Sequence, residues 1–561
     1  MQRNIKRLAF PVLTAVLAAM IAGLFWPDAP VLAKTKTKTK AKTQTAAAVG
    51  RPVTIRAVQV SGSSVTAALA ASPVPASDDG KLYFFADEVY EDGPVGELVA
   101  STALSGSMNV TFPLNLNTPS SNLARKFLAA VKSGGRFVQV SDEHYITNPE
   151  AVATFAAPRR DNGIKGILPD PAQIESGELE DLGIKQISYN IYLGDIVGAS
   201  TDPGLPTTWF SYDGVNYPFN TDKLRGYDDY LSRYTQLGFQ ITLNILNNKT
   251  AAGADLIHPL ARDSHVCPGY AFNTAEPYGT KHLKAIAAFL GMRYNGSSGY
   301  GQVDNWIIGN EVNARTEWYY MSTDNLDTNV NAYNKAFRIF YNEIRSVNGS
   351  AMIYNSIDQE WGRKSNPGCF LSKEYLDRFN YYMLREGNID WGLSFHPYDS
   401  PLYDPYAWNG YTVWVHTDLA TPYITMQNLF VLTDYMQRPE FLNPYGQVRS
   451  ISLSEIGFTS YDGEELQAAS IAYGYLQALA NPYVDSFIYY RQTDSAHEIE
   501  SRIAQGLETE SGAHKMAYEF YKNIDGPDAA AYKAEASRIM GVNIDSLIGS
   551  RTPMTRAGRG W

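Results

Sequence analysis

Cysteine is nearly absent: Cys267 and Cys369 are the only two in 561 residues. That excludes a disulfide-stapled scaffold, since a chain this long is held by a buried core. Export would permit these two to pair, and the sequence leaves a disulfide and two buried thiols equally open. A basic surplus is missing as well. The 47 Lys and Arg against 58 Asp and Glu leave a formal charge of −11, which speaks against a general nucleic-acid binder. The signatures HExxH, GxSxG and GKS/T of zinc proteases, serine hydrolases and P-loop enzymes do not occur. His258, His265 and Cys267 are spaced too loosely to suggest a zinc site, so neither a metal nor an organic cofactor is expected. After the N-terminal segment no apolar run looks transmembrane.

What is present reads as globular: 44% hydrophobic, 12% aromatic and 19% charged residues exclude a largely disordered chain. Residues 1–33 carry Arg3, Lys6 and Arg7, then the run LAFPVLTAVLAAMIAGLFW, then PDAPVLA with small residues at Val31 and Ala33. This is the three-part layout of a secretory signal, with cleavage expected near Ala33. A retained anchor is the alternative, because the apolar run is about long enough to span a bilayer. Either way the chain is expected to be secreted or associated with a cell envelope, with no stable membrane insertion once the signal is removed. Residues 34–50 (KTKTKTKAKTQTAAAVG) are a low-complexity linker that cannot bury a core.

Residues 51–159 hold alternating stretches such as VTIRAVQVSG, KLYFFADEVYE and MNVTFPLNL, and GRFVQVSD reads as a hairpin arm following SGG. Their spacing predicts a small antiparallel β-sandwich that braces the next domain or binds carbohydrate. Over 160–526 the pattern becomes strand and helix in alternation. Eight candidate strands contain KGILPD, KQISYNIYL, FQITLNILN, NWIIGNE, AMIYNSIDQ, WGLSFHPY, RSISLSEIGF and DSFIYYRQ. Amphipathic stretches separate most of them. Eight such units close a (β/α)8 barrel, an α/β fold. An open doubly wound sheet is the alternative, weakened because no glycine-rich dinucleotide turn follows an early strand. Residues 527–561 read as a helical tail.

Active sites of such barrels lie at the C-terminal strand ends. There the chain places Asn190 and Tyr192, Asn244 and Asn247, Asn310-Glu311, Asp358 with Glu360 and Trp361, His396 and Tyr398, Ser454-Glu455, and Tyr490-Arg491-Gln492. One rim is thus lined with amides, aromatic rings and carboxyls, the groups that meet a polyhydroxylated ligand. Glu311 on the fourth strand and Glu455 on the seventh face each other across the mouth. Cleaving a glycosidic bond needs such a pair, one protonated and one ionised.

Asn-Glu closing strand four, FHPY at strand six and a Glu closing strand seven resemble the large clan of retaining glycoside hydrolases with (β/α)8 barrels. The resemblance implies Glu311 as acid/base, Glu455 as nucleophile, and Asn310 on the hydroxyl beside the anomeric carbon. It also implies a pair formed by His396 and Tyr398, with the tyrosine touching the nucleophile. Asn190, Asn244, Trp361, Tyr490 and Arg491 complete the expected contacts with a carbohydrate substrate. At strand eight the chain departs from that clan, with IYYRQ where many members carry a tryptophan. The whole chain also resembles the DUF5722 family of secreted bacterial proteins, on the β-domain ending YITNPE and the barrel motifs.

Taken singly the motifs have plainer readings: Asn-Glu as a helix cap with its first-turn acid, HPY as a turn, Asp195 as a loop cap. Trp318, Trp361, Trp408 and Trp414 serve equally as sugar platforms or as packing. Two rival functions stand beside hydrolysis: a glycan-binding scaffold on an inactive barrel, and a surface protein whose ligand is another protein. Sugar identity, linkage, internal or terminal cutting, and oligomeric state are not encoded in the motifs.

Overall fold

In the computed structural model the described residues run from 51 to 557. The expected signal segment 1–33 and linker 34–50 lie outside them.

The chain opens with β1 (Val53–Ser61), β2 (Ser64–Ala71), β3 (Lys81–Asp87), β4 (Glu97–Ala103), β5 (Ser107–Pro113), β6 (Lys126–Ser133), β7 (Arg136–Gln139) and β8 (His144–Tyr145). β1, β2 and β5 form one antiparallel sheet; β4, β3, β6 and β7 form a second, with β8 paired to β6. Alternate residues such as Val58, Val60, Leu82, Phe84, Phe127 and Ala129 meet between the sheets as one core, the sandwich arrangement that period-two patterning dictates. Gly134 and Gly135 both have positive φ, 58° and 75°, as the two-residue turn joining β6 to β7 requires.

Next come β9 (Lys165–Ile167), α1 (Glu178–Asp181), β10 (Gln186–Tyr192), α2 (Leu193–Ile196), β11 (Thr208–Tyr212), β12 (Val215–Phe219), α3 (Thr221–Gln236), β13 (Gln240–Leu246), α4 (Pro277–Arg293) and β14 (Asn305–Ile308). They are followed by α5 (Leu326–Val347), β15 (Met352–Asp358), α6 (Ser372–Arg385), β16 (Trp391–His396), β17 (Gly410–Tyr411), α7 (Leu429–Met436), β18 (Ile451–Ile456), α8 (Glu464–Leu479) and β19 (Val484–Tyr489). The chain ends with α9 (Ala496–Ile499), α10 (Met516–Asn523), α11 (Ala529–Met540) and β20 (Thr555–Arg556). Strands β9, β10, β13, β14, β15, β16, β18 and β19 close into one parallel barrel, so the doubly wound alternative is excluded. The β11–β12 hairpin is an addition to the expected pattern. Its turn is Asp213-Gly214, at φ 49° and 78°, a local hairpin signal that the strand-and-helix rhythm around it obscures. No helix among the described residues is long and apolar enough to cross a membrane.

The two faces of the barrel strands differ in chemistry. Ile187, Ile191, Ile241, Leu243, Ile245, Trp306, Ile308, Ile353, Ile357, Leu393, Phe395, Ile451 and Leu453 belong to the main core cluster shared with the surrounding helices. The alternate positions, which face the lumen, include Gln186, Ser188, Gln240, Thr242, Asn244, Asn305, Ser356, Ser394 and Ser452, all buried. Several pair with one another or with backbone, as Asn305 Nδ2 does in donating to Thr242 Oγ1 at 3.1 Å, while Ser452 Oγ is buried without a partner. Barrel lumens are commonly filled with branched aliphatics. Here the shell carries most of the hydrophobic load, and the lumen is polar apart from one apolar cluster of Ile307, Met352 and Tyr354.

The sandwich packs on the flank of the barrel over α5, a helix buried on nearly every side. Tyr333, Phe337 and Ile344 face the core, while Asn342 Nδ2 donates to Leu123 O of the sandwich at 2.8 Å. Arg338 joins the two units. Its guanidinium donates to Gly387 O and Met383 O at 2.8 and 3.2 Å and lies 5.1 Å from the Tyr145 ring centroid. Replacing Arg338 by Met leaves two buried carbonyls unpaired, at a cost of about 2–4 kcal/mol. A lowered midpoint of urea unfolding, with the far-ultraviolet spectrum unchanged before the transition, is the expected outcome.

Candidate active site

β14 ends at Ile308 and the chain then turns sharply. Gly309 has φ 77° and Glu311 φ 39°, an uncommon conformation for a residue with a side chain. β15 holds the turn. Glu311 N donates to Ser356 Oγ at 3.1 Å, Val312 N donates to Ser356 O at 2.9 Å, and Asp358 N donates to Asn313 Oδ1 at 3.2 Å. Glu311 is thereby placed over the mouth of the barrel, 4% exposed.

Its carboxyl meets His396, the last residue of β16: Glu311 Oε1 and His396 Nδ1 share one hydrogen bond at 2.7 Å. Burial pushes the Glu311 carboxyl well above the usual range, and the neighbouring Asp358 and Glu317 push in the same direction. Burial lowers the proton affinity of His396. A neutral ring beside a protonated carboxyl is the consistent state.

Glu455 comes from β18, where the register against β19 shifts between Leu453 and Ile456. Such a bulge re-aims a side chain. Gly457 follows, and a Cβ there would fall 2.3 Å from Tyr490 O, so only glycine lets the two strand ends approach this closely. Glu455 is half-buried, and Tyr398 donates its hydroxyl to Glu455 Oε1 at 2.8 Å. Burial raises the Glu455 carboxyl; His396 lowers it when that ring is charged, Glu311 raises it when ionised, and the Tyr398 hydrogen bond lowers it. Glu455 thus senses the Glu311 charge, and it receives a tyrosine hydroxyl that favours its anion. Of two raised carboxyls, Glu311 is the one whose surroundings favour the proton and Glu455 the one with a partner that favours the anion.

Asn310 is buried at the same turn, its Oδ1 accepting from Asn244 Nδ2 at 3.3 Å, and Asn190 sits beside Asn244 in the β10–β13 register. Tyr490 and Arg491 both bind Glu498, with Tyr490 OH donating to Oε1 at 2.8 Å and Arg491 Nη1 at 3.3 Å. Glu498 adds to the field at Glu455, and its second oxygen is buried without a hydrogen-bond partner. The strand-end reading missed it because it lies in α9, a single helical turn after β19 that is too short to show a period. Ser356 was also missed, although it is two residues before Asp358 on the same face of β15.

Trp361 departs from its expected sugar-contact role. It is 0% exposed and packs edge-on against Tyr435 at 5.0 Å, inside the main core, so it presents no face to a ligand. Trp318, Trp408 and Trp414 are buried too, and Arg363 covers Trp414 at 4.0 Å.

Cys267 and Cys369 are free thiols that brace the turn beyond Glu311. Cys267 Sγ donates to Glu317 O at 2.8 Å, and Cys369 Sγ lies 3.3 Å from Thr316 Oγ1. His258 and His265 are likewise engaged locally. His258 Nδ1 accepts from Leu260 N, and His265 Nε2 lies 2.9 Å from Thr316 O. Asp195 accepts from Asn248 Nδ2 at 2.8 Å. Among the described residues Glu178, Glu508 and His514 bring ligand-type atoms within 4.8 Å of one another. Gln492 Nε2 already donates to both carboxylates there, at 3.0 and 3.3 Å.

A family model described as "Family of unknown function (DUF5722)" matches residues 157–546. A search of curated protein sequences returns no match. Among solved structures, a family 39 glycoside hydrolase from Bacteroides cellulosilyticus WH2 is similar at 14% identity and a TM-score of 0.42, covering 85% of this chain and 82% of that one. A glucosidase from Croceicoccus marinus is similar at 13% identity and 0.39, over 65% and 68% of the two chains. A β-glucuronidase from Bacteroides uniformis is similar at 12% and 0.37, over 87% of this chain and 51% of its own. This chain therefore spans about half the length of that last neighbour.

Replacing Tyr398 by Phe removes the donor on Glu455. Its carboxyl is expected to gain proton affinity by about one to two pH units. An infrared pH titration, with the Glu455 band assigned by its loss in Glu455→Gln, measures the shift; an unmoved band contradicts the hydrogen bond.

Proposed function

This chain belongs to the DUF5722 family, and we propose that it is an exported glycoside hydrolase. It cleaves β-glycosidic bonds of an oligo- or polysaccharide with retention of configuration. The observation that carries the reading is the unequal pair at the barrel mouth: Glu311 bonded to His396 and Glu455 bonded to Tyr398, near enough that the charge of one raises the other. Export rests on the basic, apolar and small-residue order of residues 1–33.

Each group's part follows from its environment. Glu311 enters the reaction protonated and gives its proton to the glycosidic oxygen as the bond to the anomeric carbon breaks. Glu455, with Oε1 taken by Tyr398, attacks that carbon through its other oxygen and forms a glycosyl ester. Loss of its proton leaves Glu311 a base, which draws a proton from water as that water attacks the ester and returns the first configuration. The amides of Asn310 and Asn244 are placed to bind sugar hydroxyls, which offer both donors and acceptors.

A screen of plant, fungal and bacterial glycans for released reducing ends, run beside Glu455→Gln, tests the reading. The variant is expected to fold normally and lose roughly three orders of magnitude or more in turnover. Retained binding with no release by the native chain would return the glycan-binding scaffold. Glu311→Gln should spare glycosides whose leaving group needs no proton, and proton NMR of the first-formed product anomer reads the stereochemistry.

A further inference from the structure

We propose that the rim beside Glu455 carries a subsite for a further unit of a neutral β-linked glycan, built from Tyr403, Tyr461 and Arg502. This deepens the glycosidase reading and rests on it: the chain cut at the acid pair would run on over these rings.

Three loops meet there. Tyr403 lies five residues beyond Tyr398, the partner of Glu455. Tyr461 lies six residues beyond Glu455 itself. Arg502 follows α9, the turn that carries Glu498. The Arg502 guanidinium lies over both rings, 4.8 Å from the Tyr403 centroid and 5.2 Å from that of Tyr461.

The backbone is bent to put it there. Five non-glycine residues among those described have positive φ. Asn115, Asn117 and Asp213 are types that take this conformation readily. The other two are Glu311, the candidate acid, and Arg502, at φ 65°. The loop after β18 holds Arg502 in place through Thr459, which is fully buried. Thr459 Oγ1 donates to Arg502 O at 2.8 Å and accepts from Tyr461 N at 3.1 Å. Strain that neighbours maintain on a site's rim points to function.

The chemistry suits a sugar. Tyr461 is 51% exposed and Tyr403 is half-buried, so both rings offer apolar area to a pyranose, whose hydroxyls need polar partners. Arg502 Nη2 donates to both oxygens of Asp462, at 3.2 and 3.0 Å. Its Nε and Nη1 form no hydrogen bond among the described residues. Asp462 balances the charge, which favours an uncharged sugar over a uronate. A second stack on the loop of Tyr403 extends the platform: Arg556 from β20 lies 4.6 and 4.3 Å from the Tyr406 and Tyr411 centroids and pairs with Asp404. A purely structural stack would brace the loops without acting on a ligand.

Calorimetric titration of the full chain carrying Glu455→Gln, which spares the probe from hydrolysis, tests this. The probes are β-linked gluco-, xylo-, manno- and galacto-oligosaccharides of two to six units. Affinity for at least one series is expected to rise with length. Adding Tyr461→Ala, or Arg502→Gly, which suits the positive φ, should cut that gain by about tenfold. Tyr461→Phe keeps the ring and should restore it. No gain with length in any series overturns the proposal, as does a gain left intact in either variant when folded; if one variant does not fold, the other decides. A gain that depends on Tyr461 in a chain that releases no reducing ends keeps the subsite and sinks the glycosidase reading. Turnover of a short glycoside without such a gain does the reverse.

Discussion

The site depends on how β15 grips the turn that follows β14. Through its hydroxyl and its carbonyl, Ser356 takes the N–H groups of Glu311 and Val312. Those two bonds hold a glutamate in a left-handed conformation that it rarely adopts. The strain lies where a small rotation would carry the carboxyl away from His396. A serine facing the lumen, next to the rim on a strand neighbouring the acid's own, sets where the acid points.

Burial alone cannot divide labour between two carboxyls, because it raises both. Their partners make the difference. Glu455 receives a phenol hydroxyl, which favours the anion, whereas Glu311 meets a neutral imidazole and a second acid. The separation comes from hydrogen-bond polarity rather than depth, which is the general way one pocket runs acid and base chemistry together.

Much of this was legible in the sequence because the outer faces of the barrel strands are apolar and the helices between them amphipathic. Ile187, Ile241 and Leu393 announce strands whatever lies on the other face. Glu311, His396, Tyr398 and Glu455 were legible by position, at the ends of strands four, six and seven. Trp361 was misread since a tryptophan near a strand end carries no mark of which way its ring turns; only the packing with Tyr435 decides it. Glu498 and the β18 bulge were hidden for a related reason. The path of a one-turn helix back over the rim and a register shift both arise from three-dimensional closure, not from the local alternation of side chains.

The split between a greasy shell and a mostly hydrophilic lumen has a consequence for mutation. Each barrel strand answers to two masters through alternate residues, and the obligations scarcely overlap. Exchanges among Ser, Thr, Asn and Gln inside the tube can rework ligand preference while the aliphatic outer row goes on securing the architecture.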